Sequence, residues 1–415
     1  MQERRRASRN DEGPAAARAA TGLIACALAG ALAGSAGAVR AQAAAEADAA
    51  PPGWSWGGVY KADLLHAGNT RSGVGHLNLR IDADAGALFG WDDTVLHAEV
   101  LWNHGGKPNR RIGTTQGISN LEVAQNAARL YAGWIEHEFK TSGIGVLFGL
   151  YDLNSEFYAT EASGLLIHPS FGIGIDFSQS GRNGPSIFPN LGLSLRVKQS
   201  LGAGFYLQGA AIDGVPGDPE HPGRTRVRLS RDEGALLVGE FGWQERGDDG
   251  PKPGHWGIGA WRYTQRSERI DGSSSECNQG VYALAQGVLF DAEYGRTIGF
   301  ARAGVANRRV NAVDLGVDAG VLVDRPFGKD GPSALTAGIA IARYGRSQRA
   351  SVLASEGVAM ASHETAFEVG ARWQLSSSLA LQPLLQHVWN TGGRRGAHEA
   401  IVGLRFEWSF GQPSP

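Results

Sequence analysis

From Glu399 to Phe410 the chain alternates. Val402, Leu404, Phe406, Trp408 and Phe410 share one side. Ile401, Gly403, Arg405, Glu407 and Ser409 share the other, and of these only Ile401 is large and apolar. Side chains along a β-strand project to opposite faces with a period of two, so the stretch predicts a strand with one greasy and one wet face. The segment before the turn at Ser376–Ser378 repeats the pattern. Phe367, Val369, Ala371, Trp373 and Leu375 fall on one face, and Glu364, Glu368, Arg372 and Gln374 on the other.

A soluble β-sandwich also alternates, so the period alone does not separate it from a membrane barrel. Three details do. The greasy face ends in aromatics, as a girdle at a membrane–water interface does. The wet face carries charges of both signs. The last strand closes on an aromatic residue, Phe410, as the closing strands of outer-membrane barrels do. Composition agrees. Only 42% of the chain is hydrophobic, too little for a helical membrane protein, while a barrel needs only half of each strand to be apolar. The 60 glycines suit strands that bend and pack closely. The charged fraction of 19% lies below the roughly 25% of ordinary soluble domains.

The same alternation recurs along the chain. His76, Asn78, Arg80, Asp82 and Asp84 oppose Leu77, Leu79, Ile81 and Ala83, and His97 and Glu99 oppose Leu96, Ala98, Val100 and Trp102. Leu193, Leu195 and Val197 oppose Ser194, Arg196 and Lys198, and Val317, Ala319 and Val321 oppose Asp314 and Asp318. Short turns, as at 90–93, 140–143 and 376–378, take turns with longer connections, as at 104–126, 152–190, 213–233 and 345–363. Outer-membrane barrels have short periplasmic turns and longer outside loops. The expectation is therefore all-β: a closed antiparallel transmembrane barrel of about sixteen strands over residues 54–410, with both ends on the periplasmic side and no long helix. Such a barrel is wide enough for an aqueous channel. The connection 152–190 is too long for a passive hairpin, and its glycines and prolines suit a folded segment, either inserted into the lumen as a constriction or packed outside on its neighbours.

The first 43 residues read as a signal peptide. Arg4, Arg5, Arg6, Arg9 and Arg18 precede an uncharged run from Thr21 to Val39, and Ala41-Gln42-Ala43 is a small-residue cleavage site. Residues 44–53 form a periplasmic leader and 411–415 a short tail. Without the six arginines and three acids of the first 43 residues, 33 basic and 38 acidic residues remain, a net charge of −5. That charge does not favour nucleic acid as a partner. Cys277 is then the only cysteine left, which excludes an internal disulfide and a cysteine metal cluster.

Enzyme chemistry finds little support. The chain has no Gly-x-Ser-x-Gly elbow, and His137-Glu138 and His363-Glu364 lack the second histidine of a zinc-protease motif. No glycine loop with a lysine stands ready for phosphate, and nothing asks for a cofactor or a metal. A channel is the leading reading, with an adhesive barrel as a further class.

The run GLYDLNSEFYATEASGLLIHPSFG from Gly149, then GPSIFP and LGLSLRVKQ, resembles the carbohydrate-selective porin family typified by the glucose porin of pseudomonads. The end, HETAFEVGARWQLSSSLALQPLLQHVWNTGG followed by VGLRFEWSF, is similar to that family's closing strands. The chain departs from the family at Leu384 or Leu385, where such porins often carry an acid, and at Thr391, where they often carry proline. The resemblance implies an outer-membrane porin of a Gram-negative bacterium that passes monosaccharides such as glucose by facilitated diffusion. A general or anion-selective diffusion porin is the alternative. Expected partners are small neutral sugars, outer-membrane lipid and the barrel-assembly machinery, with either a monomer or a homotrimer as the assembly.

Sugar hydroxyls need donors and acceptors that replace water, bound firmly enough to enter and weakly enough to leave. The wet-face charges Asp63, Arg80, Glu99, Arg129, Arg196, Glu368, Arg372 and Arg405 are the expected lining of the solute path. Asp152, Asn154 and Glu156, a stretch that the resemblance marks as a hallmark, stand where the barrel meets the long connection. Taken singly, such a charge is more often a salt-bridged wall residue that rigidifies the lumen and touches no solute. Trp134, Trp373, Phe406, Trp408 and Phe410 are expected in the membrane girdle.

Overall fold

The computed structural model describes residues 53–411, except 248–249, 293–294 and 329–330. The signal segment, nearly all of the leader and the tail beyond Gly411 lie outside the described residues. The alternating stretches form sixteen strands among the described residues. They are β1 (Trp54–Ala67), β2 (Thr70–Asp84), β3 (Thr94–Gly105), β4 (Ala128–Phe139), β5 (Ile144–Tyr151), β6 (Gly192–Gly202), β7 (Phe205–Asp213) and β8 (Ala235–Gly247). Then follow β9 (Gly250–Glu268), β10 (Ser275–Ala292), β11 (Gly295–Ala306), β12 (Val313–Asp324), β13 (Ala334–Tyr344), β14 (His363–Gln374), β15 (Leu379–Trp389) and β16 (His398–Gly411). Each strand pairs with its sequence neighbour, and β1 pairs antiparallel with β16, which closes the barrel. Closure leaves no unpaired sheet edge, a requirement for strands that cross lipid.

The period of two sets the two faces. On β16 the side chains of Val402 and Leu404 are exposed at 55% and 37%, whereas Ile401 and Arg405 are buried toward the interior. On β14 Phe367 and Trp373 face outward while Glu364 and Glu368 are completely buried inside. Outward aromatics lie in clusters. Trp408 lies against Phe410 with ring centres 4.7 Å apart, Phe406 meets Tyr60 edge-on, and Phe241 lies between Phe205 and Trp256.

Trp134 corrects the expected girdle. Between β3 and β4 the register shifts, with Glu99 opposite Ala132 but Val100 opposite Leu130, so Tyr131 is the extra residue of a β-bulge. A bulge resets which residues face which side. Arg129 and Tyr131 point inward above it, and Ala132, Trp134 and Glu136 point inward below it. Trp134 therefore stacks on the inward His97 at 4.7 Å and packs against the interior clusters.

Helices are short. The longest, α1 (Arg346–Glu356), sits in the connection between β13 and β14, and no described helix is long and apolar enough to cross a membrane. β1 and β2 stay paired as far as Ala67 and Thr70, so their connection is a tight turn.

Candidate functional site

The lumen is shaped by two connections, not one. The segment 152–191 between β5 and β6 turns inward at its first residue. Asp152 caps a turn by accepting the Asn154 N–H at 2.9 Å and the Tyr131 hydroxyl at 2.5 Å. Its apolar residues then lie along the inner wall. Leu153, Phe157, Tyr158 and Phe177 pack with Leu236, Val238, Trp261 and Tyr282 of β8–β10, and Leu166 and Phe171 pack with Phe300 and Ala340 of β11 and β13. Burial of this much apolar surface is a sufficient reason for the segment to leave water and enter the barrel.

A buried backbone must have its hydrogen-bonding groups paired. Inward charges of the wall do this for the inserted segment. Glu368 accepts the N–H groups of Ile167 and His168 at 2.8 and 2.7 Å, and Gln382 donates to the Leu165 carbonyl. Glu240 accepts the Tyr158 N–H together with the hydroxyls of Tyr206 and Tyr282. Arg302 is held by Asp318 at 2.9 Å and donates to the carbonyls of Tyr158, Ser170 and Gly172.

The second insertion is the segment 106–127 between β3 and β4, which the sequence reading placed outside. Glu364 accepts the N–H groups of Thr115 and Gln116, and Gln386 donates to the Ile118 carbonyl. Asp63 accepts from the Ser119 hydroxyl at 2.7 Å and forms a bidentate pair with Arg405, which also donates to Asn120 at 2.7 Å. Ile112 and Ile118 pack on Leu65, Val388 and Ile401. The two insertions also hold each other. Asn120 N–H donates to the Ile167 carbonyl and the Ser170 hydroxyl to the Gln116 side chain.

The expected lining residues therefore divide. Asp63, Glu368 and Arg405 are sealed under the insertions and act as anchors. Arg129 is buried as well, donating to Pro222, Asn190 and Gln125 where three connections meet. Asp152 is the cap described above, and Asn154 donates to the Phe157 carbonyl at 3.4 Å. Arg196 is buried between Glu136 and Glu156, at 2.8 Å from each. Glu156, Arg80 and Glu99 border open space at the short-turn end. Glu156 edges a cavity of about 670 Å³ shared with Lys198, Tyr206, Gln208 and His255. Arg80 and Glu99 edge a cavity of about 350 Å³ shared with Lys61, His76 and His97. Arg372 pairs with Glu407 at 2.7 Å, and Lys61 approaches the same carboxylate at 3.5 Å.

Lys61, His97, Lys198, Gln208 and His255 were missed as lining residues. For three of them the signal was present: Lys61 stands two residues from Asp63, Lys198 two from Arg196 and His97 two from Glu99, each on the same inward face. No local signal marks the insertion of 106–127, whose partners lie on β1 and β14–β16.

A closed barrel of this size, with connections folded across its interior, defines a porin, a diffusion channel of the outer membrane. The chain belongs to the OprB family of carbohydrate-selective porins, which matches residues 69–410. Among solved structures it is similar to the high-pH structure of Pseudomonas putida OprB, with a TM-score of 0.73 and 17% identity over 86% of this chain and 94% of that one. The low-pH structure of the same protein matches with a TM-score of 0.53 and 15% identity over 86% and 93%. The outer-membrane channel DcaP of Acinetobacter baumannii matches with a TM-score of 0.51 and 11% identity over 86% and 96%. No curated protein matches the chain. Family and fold make it a carbohydrate-passing porin of the Gram-negative outer membrane, a channel rather than an enzyme.

Proposed function

We propose that the chain passes small neutral sugars of monosaccharide size, such as glucose, by facilitated diffusion past the two insertions. The solute then meets Arg80, Glu99, Glu156, Arg372 and Lys198, while the remaining inward charges hold the walls and loops. The observation that carries this reading is the pairing of opposite charges around the open spaces. Glu156 faces Arg196 and Lys198, Asp82 lies between Arg80 and His97, and Glu407 lies between Lys61 and Arg372. Paired charges leave little net field to select an ion, yet they present many donors and acceptors to hydroxyl groups. Trp373, Phe406, Trp408 and Phe410 belong to the girdle in this reading.

Single-channel recording in planar bilayers tests it. Glucose should reduce the current in a saturable way, potassium and chloride should pass with little discrimination, and Arg80→Ala should weaken the glucose block without preventing insertion. A channel that discriminates strongly between the ions and ignores glucose would be a general or anion-selective porin instead.

A further inference from the structure

The membrane face of the barrel carries a groove that solute passage does not use. It lies across β8–β11 toward the long-loop end, with a volume of about 720 Å³. Leu237, Val281 and Val305 form its sides, exposed at 45%, 54% and 41%, and Gly239 and Ala260 form its floor. The groove is there because two facing positions carry almost no side chain between three larger ones.

Its polar edge coincides with the edge of the apolar band. From Val281 to Phe290 no outward side chain of β10 is polar. With Leu289 as a bulge, this stretch spans eight ladder steps, which on a strand tilted by about 40° rise roughly 20 Å, most of the ~25 Å of an outer-membrane apolar band. The next outward residue, Gln279, pairs with Arg262 across the strands. Arg262 thus stands where acyl chains give way to headgroups.

Arg262 forms no ion pair within the described residues. Its guanidinium reaches the Cys277 sulfur at 3.1 Å, and Arg266 further along the strand donates only to the Ser275 carbonyl. The nearby Glu276 is engaged by Arg269 and Arg309. Arg262 in the groove lining, and Arg266 paired with Cys277 beside it, have no counter-ion among the described residues, and the molecule that matches them on a membrane surface carries a negative charge on an acyl chain.

We propose that this groove binds an anionic lipid, with one acyl chain along Leu237, Val281 and Val305 and its phosphate on Arg262 and Arg266. The test is native mass spectrometry of the full refolded barrel, released from micelles doped with phosphatidylglycerol or with phosphatidylcholine of the same chains. Wild type should retain phosphatidylglycerol about tenfold better. The double variant Arg262→Ala/Arg266→Ala should lose that preference, and Arg262→Lys should keep most of it. Gly239→Leu, which fills the floor, should lower retention of both lipids. The heat-dependent gel shift of a folded barrel verifies each variant. Equal retention of the two lipids by wild type, or a preference that survives the double variant, overturns the proposal. So does a second copy of the chain found bound in place of lipid and released by Gly239→Leu, which would make this face a subunit interface.

Discussion

Asp176 shows how closely a single side chain can be fitted to its seat. It lies on the inserted segment 152–191, above a spot where Gly304 of β11 and Gly316 of β12 stand opposite each other. A methyl group on Gly304 would come within 2.3 Å of one carboxylate oxygen, and one on Gly316 within 2.7 Å of the other. Glycine is needed at both places for close approach, not for backbone freedom. The Tyr158 hydroxyl donates to one oxygen at 3.3 Å, while the other has no partner. Burial pushes this carboxyl up to about 7. The unfolded chain releases the same proton near pH 4. Between those values the folded protein binds more protons, so its stability falls as pH rises and this contribution is lost by about pH 7. Urea unfolding of the detergent-solubilised barrel should therefore show a lower midpoint at about pH 8 than at about pH 5, and Asp176→Asn should flatten the difference. The same slope in both proteins would assign the effect to another group.

At the level of elements, the strands form the wall and their inward charges hold the insertions. Glu368 is the clearest case. Replacing it by alanine leaves the buried N–H groups of Ile167 and His168 without acceptors, at about 1–3 kcal/mol each. The barrel ladder is untouched, so Glu368→Ala should still insert, but with a looser constriction. Its single-channel conductance should rise and its sugar block should fall, whereas Arg80→Ala should change block with little effect on stability. Unchanged conductance in Glu368→Ala would show that the insertion holds without this anchor. The strands were legible because a period of two is a local property, visible in Val402 to Phe410 without any partner. Trp134 was misplaced because one bulged residue, Tyr131, resets the faces of β4, and nothing in the sequence around it announces the shift. The split between lining charges and anchors was not legible either. Glu368 and Ile167 are about two hundred residues apart, and whether a carboxylate meets water or a backbone amide depends on what folds over it.

On the scale of the whole molecule, the seam between β1 and β16 is where the barrel becomes one object. Tyr60 stands opposite Trp408 and Gly57 opposite Gly411 across it. A chain ending at Glu407 would lose those pairings together with two girdle aromatics. It should fail to give a heat-modifiable barrel in the outer membrane, and normal assembly would show that the last residues are dispensable. The seam also carries the Asp63–Arg405 pair, and that pair in turn grips Ser119 and Asn120 of the insertion 106–127. Neither strand presents that grip alone. This imposes an order in time. Until the first and last strands meet, the insertion 106–127 lacks the joint grip of Asp63 and Arg405 on Ser119 and Asn120, so its seat is complete only after the wall is sealed. The insertion 152–191 has its anchors on β8–β14 and needs no such closure, so the two halves of the constriction differ in what must form before each can settle.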